Sequence, residues 1–68
     1  MQVYGLYYED IDWRLVCLFK NYPTVDDLRK VLTSEFFKPD DEYLTKIIEN
    51  KKFDYELRVV NVIQNGEV

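Results

Sequence analysis

From Phe53 to Val59 apolar and charged residues alternate without a break, Phe53, Tyr55, Leu57 and Val59 being separated by Asp54, Glu56 and Arg58. Successive side chains of a β-strand point to opposite faces, so this period of two specifies a half-buried strand. A strand leaves its backbone unsatisfied without neighbours, and the remainder of a 68-residue chain must supply them. Beyond Val59 the alternation changes, because Val60 and Val62 make the polar face apolar as well. The closing QNGEV reads as a frayed tail.

The partners come from the first twenty residues. The tyrosine-rich QVYGLYY, residues 2–8, has strand composition. In WRLVCLFK, residues 13–20, Trp13, Leu15, Cys17 and Phe19 alternate with Arg14, Val16, Leu18 and Lys20. A helical spacing competes there through Ile11, Leu15, Leu18 and Tyr22. The preceding strand and the short acidic turn of Glu9, Asp10 and Asp12 favour a hairpin. Asp suits such a turn because its carboxylate bonds nearby backbone N–H groups and tolerates unusual dihedrals.

Pro23 then interrupts the chain, and Thr24 is placed to cap a helix with Asp26 and Asp27 in its first turn, where the dipole favours negative charge. Leu28, Val31, Leu32 and Phe36 form one apolar stripe, predicting a helix of about three turns. Pro39 disfavours helix at Lys38, and Asp40 or Asp41 can cap a second helix carrying Tyr43, Leu44, Ile47 and Ile48. The expectation is therefore one small domain over residues 1–68. It is an α+β fold of order ββααβ, a three-stranded, mainly antiparallel sheet with two helices packed on one face.

Composition narrows the function. The chain has no histidine and one cysteine, Cys17, assigned to the core face as a structural thiol. Acid–base catalysis needs a group that titrates near working pH, and a cysteine nucleophile needs activation. Neither requirement is met, and neither Gly5 nor Gly66 lies in a phosphate-binding motif. The expectation is a protein that is not an enzyme and holds no cofactor or metal. Glu9, Asp10 and Asp12 alone do not converge as a cation cage would require. Thirteen acids against nine bases, with a formal charge of −4, oppose direct nucleic-acid binding and favour basic protein partners. The opening MQVYGLYY lacks the basic and long apolar stretches of an export signal, and no apolar run approaches the length of a membrane helix, so a cytoplasmic location is expected.

Two candidate contact regions follow. One is the hairpin tip, Tyr8, Glu9, Asp10 and Asp12. The other is the second face of the sheet. With Trp13, Leu15, Cys17, Phe19, Tyr55, Leu57 and Val59 under the helices, Val16, Leu18, Val60 and Val62 point away, with Leu6 or a first-strand tyrosine beside them. No element remains to cover them, and contiguous exposed apolar surface usually marks an interface. This face is expected to meet a second copy, giving a homodimer, or a partner protein. An alternative is an acidic DNA mimic whose carboxylates block a nucleic-acid-binding protein, although Arg29, Lys30, Lys38 and Lys46 interrupt the helical acids.

The plan VYGLYYEDIDWRLVCLFKNYPTVDDLRKVL…FDYELRVVNVI resembles the layout of small accessory proteins encoded by bacteriophages and mobile elements. Such proteins often open with a tyrosine-rich hairpin, start a helix after an F-x-x-x-x-T pattern, here Phe19 to Thr24, and close with a strand. The resemblance implies a non-enzymatic viral protein that binds a host factor, including inhibitors of defence systems such as anti-CRISPR proteins, at work in the host cytoplasm. It is one of layout and transfers no functional residue.

Overall fold

A computed structural model describes residues 1–62, which form β1 (Gln2–Glu9), β2 (Trp13–Phe19), α1 (Val25–Leu32), α2 (Asp41–Ile48) and β3 (Tyr55–Asn61). The three strands make one antiparallel sheet in the order β2-β1-β3. The architecture is the expected α+β layout of order ββααβ, and residues 13–19 are strand rather than helix. The tail reading of QNGEV lies outside the described residues. β1 takes the centre; it is uncharged from Gln2 to Tyr8, as suits a strand flanked on both sides.

Local chemistry sets the helix limits. The Thr24 hydroxyl accepts the Asp27 N–H, and the Asp27 carboxylate accepts the Thr24 N–H, closing a reciprocal cap on α1. The backbone bond from Thr24 holds the Asp27 carboxyl below its usual range. α1 spans eight residues, two turns rather than the expected three. After Thr33 the Ser34 hydroxyl accepts the N–H groups of Phe36 and Phe37, which turns the backbone out of the helix. Phe36, expected on the apolar stripe, is 93% exposed as a result.

Asp40 caps α2 by accepting the Tyr43 N–H. The far end of α2 closes with Asn50 in the left-handed region, φ 56°, its N–H bonded to Ile47 O and the Lys51 N–H to Lys46 O. Those two bonds define a Schellman turn, in which asparagine is the non-glycine residue most at ease. Arg29 ties the two helices together by pairing with both Asp26 and Asp41.

Leu6, Leu28, Leu44 and Ile47 are fully buried, with Tyr55 and Leu57 nearly so. Phe19, Val25, Leu32, Tyr43 and Ile48 pack around them. β2 buries none of its residues. Cys17, expected in the core, is only half-buried. β3 begins at Tyr55, two residues later than the alternation suggested, and Phe53 stands 83% exposed before it.

A β-bulge corrects the facial assignment of β2. Tyr4 pairs with Phe19 and Leu6 with Cys17, but Tyr7 pairs with Leu15 and Glu9 with Trp13, leaving Val16 as the extra residue. One inserted residue reverses which face the rest of the strand presents. Leu15 and Trp13 therefore join Tyr7 on the open face, away from the helices, instead of lining the core. Leu6, which was a candidate for the open face, is the centre of the core.

Candidate protein-binding surface

The open face is assembled from all three strands. A β-carbon added to Gly5 would lie 2.8 Å from the Tyr7 ring, 3.2 Å from Val60 and 3.3 Å from Leu15, so these three side chains close over the glycine. Only glycine permits that approach, which explains its place in the central strand. The Arg58 guanidinium lies 4.4 Å from the centre of the Tyr7 ring and 5.4 Å from that of Trp13. Its other side pairs with Glu56 at 2.8 Å. Stacking on two rings holds a planar cation while leaving its edge free to donate.

This stacked patch grades into apolar surface. Trp13, Leu15, Val16 and Leu18 along β2, with exposures between 37% and 51%, continue the face, and Val62 adds to it beside β1. The open face is thus partly roofed by its own long side chains, and it bares most apolar surface along β2. Of the residues expected there, Leu18 and Val62 are exposed, Val60 is half-buried against Tyr7 and Leu15, and Val16 sits at the bulge. Trp13, Leu15 and Arg58 were not among the expected contact residues, and Tyr7 is the first-strand tyrosine beside them. Alternation in step with Val60 already puts Arg58 on this face, whereas strict alternation assigns Leu15 and Trp13 to the wrong side.

The hairpin tip forms as expected, with Asp10 N–H bonded to Asp12 O across a three-residue reversal. Glu9, Asp10 and Asp12 enter no ion pair among the described residues. Ile11 stands between the two aspartates at 86% exposure, an apolar side chain on an acidic promontory. Tyr8 does not belong with them. Its ring packs 4.9 Å from that of Tyr55 on the helix side, so it supports the core's margin rather than the contact face. Burial pushes the Tyr55 hydroxyl well above its ordinary range, with neighbouring Tyr43 adding to the effect.

A shallow groove of about 280 Å³ lies between the start of β2 and the start of β3, lined by Trp13, Asn50, Lys52, Phe53, Tyr55 and Glu56. Lys52 is engaged there, 4.7 Å from the Tyr43 ring centre, 5.0 Å from that of Phe53 and 3.1 Å from Asp54. The groove falls just below the usual size of small-molecule sites and suits one inserted side chain. On the helices, Asp26 and Asp41 share Arg29, Glu42 lies 4.0 Å from Lys46, and Glu49 pairs with Lys51. These pairs break up the carboxylate row that mimicry of DNA would require.

The two edges of the sheet are finished differently. At β3 the Asn50 side chain accepts the Leu57 N–H at 2.9 Å and donates to Leu57 O, while the Tyr55 N–H donates to Lys52 O. An amide that gives and takes one bond each imitates a neighbouring strand, so the first half of that edge is closed. Along the outer edge of β2, no side chain from elsewhere in the described residues plays this part. No helix among the described residues is long and apolar enough to cross a membrane. Comparison with protein families, curated proteins and solved structures finds nothing that matches this chain.

Proposed function

We propose that this protein is a small non-enzymatic protein-binding module, and that it modulates a partner by occupying its surface with the open face of the sheet. The observation that carries this reading is the contiguous apolar surface of Trp13, Leu15, Val16 and Leu18, adjoining the Arg58–Tyr7 stack. Aromatic residues and arginine are the side chains enriched where binding energy concentrates. The unpaired acids of the tip border this face and select a partner with basic residues around an apolar centre. Within the setting that its layout resembles, the module is a phage-encoded inhibitor of a host defence protein, acting in the host cytoplasm.

The test is affinity capture from a host lysate followed by direct binding to the captured protein. Val60→Lys, on β3, places a charge beside Tyr7 and Leu15 and is expected to weaken binding at least tenfold while the circular dichroism spectrum is retained. Reversing Glu9, Asp10 and Asp12 together to lysine is expected to slow association and flatten its dependence on salt. Affinity unchanged by both sets of substitutions, in folded protein, refutes the reading.

A further inference from the structure

We propose that two copies of the chain pair antiparallel along β2, joining two three-stranded sheets into a single sheet of six strands. The starting point is the difference between the edges. β3 has its outward groups at Leu57 closed by the Asn50 amide, whereas β2 runs seven residues with no buried residue and no side chain from elsewhere in the described residues capping its outer edge. Bare apolar edge strands template pairing with another chain, and natural proteins that stay monomeric blunt them. Here Asn50 blunts one edge, while the other carries the bulge at Val16 and, among the described residues, no such cap.

Charge identifies the occupant. The acids Glu9, Asp10 and Asp12 lead into β2, and Lys20 follows it, none of them in an ion pair among the described residues. A two-fold axis through the middle of β2 sets the start of each strand against the end of the other. Asp12 of one copy then faces the Lys20 region of its mate, twice by symmetry. Arg14 falls opposite the apolar Leu18–Phe19 rather than its own counterpart. Parallel pairing would instead stack one acidic tip on the other. The bulge at Val16 lies beside the axis, so the outward-facing backbone groups of Leu15 in one copy meet those of Leu18 in the other. A second copy of this chain therefore complements the edge in charge as well as in backbone.

Sedimentation velocity on the full chain over a concentration series tests the pairing. A concentration-dependent dimer is expected. At low ionic strength Asp12→Lys and Lys20→Glu should each weaken it about five- to tenfold, and the double reversal should restore it. Amide exchange across β2 should slow as concentration rises. A monomer at every concentration overturns the proposal, as does a dimer indifferent to both reversals. A dimer broken by Val60→Lys alone, or β2 amides protected only by an added partner, also overturns it. The proposal stands apart from partner capture by the open face: a monomeric chain that still loses its partner on Val60→Lys rejects the self-pairing and keeps that function.

Discussion

β2 and β3 flank the same central strand, are equal in length, and have opposite fates. β2 is the more apolar of the two, with only Arg14 charged, yet none of its residues is buried. β3 carries Glu56 and Arg58 and still buries Tyr55 and Leu57. Hydrophobicity therefore does not decide which strand enters the core here. Connection does. The Schellman turn at Asn50 delivers the chain from α2 into β3 within a few residues, so α2 must lie over the strand it precedes. β2 is joined to α1 but lies on the far side of β1, and only Phe19 at its end reaches the core cluster. The rest of β2 stays exposed or half-buried.

The largest effect that would sharpen this contrast is a pair of truncations. Leu57→Ala should cost about 2–5 kcal/mol of unfolding free energy, as fully packed leucines do, whereas Leu15→Ala should stay within about 0.5 kcal/mol in the monomer. Chemical denaturation at low protein concentration measures both, and equal losses would erase the distinction between the strands. Next comes the edge cap. Asn50→Gly keeps the left-handed backbone but strips the Leu57 N–H and C=O of their partner, an expected loss of about 1–2 kcal/mol. It also opens β3 to pairing, so faster aggregation should accompany the lost stability. Asn50→Asp keeps the acceptor and loses the donor, and should fall between.

Alkaline pH provides a third handle, specific to the β3 side. Tyr55 is buried neutral and its pKa is raised, so its contribution to stability is complete below the ordinary tyrosine value of about 10 and is lost as pH climbs above it. Denaturation midpoints should fall through that window, and less so in Tyr55→Phe. The smallest effect concerns α1. Asp27 has a lowered pKa, so its contribution is present above the ordinary carboxylate range and fades on acidification. Asp27→Asn should flatten that acid limb slightly. Local exchange completes the comparison: in dilute protein the amides of Leu15 and Leu18 should exchange much faster than that of Leu57.

Much of the layout was legible because it depends on neighbours in sequence. Thr24, and the Asp40-Asp41 pair of which Asp40 proves to be the cap, announce the two helix starts through side chains that reach N–H groups three residues on. The Asp10–Asp12 reversal and the alternation from Tyr55 onward are local in the same sense. The candidate surface was legible only in outline. That the sheet has an apolar second face follows from Leu18, Val60 and Val62, and alternation puts Arg58 beside them, but Trp13 and Leu15 join it only through the bulge at Val16. Nothing within LVCLF distinguishes a regular strand from one carrying an extra residue, since both satisfy the same composition.

By itself, then, the amino-acid order pointed to the five elements, marked the starts of the two helices and implied more apolar surface than two short helices can cover, because each follows from contacts within a few residues. Tertiary structure alone decided which strand lies at the centre, where the register slips, and that Asn50 closes the first half of one edge while no side chain from elsewhere in the described residues caps the other. Those outcomes are set by groups far apart in the chain meeting in space, and each depends on the position of every other.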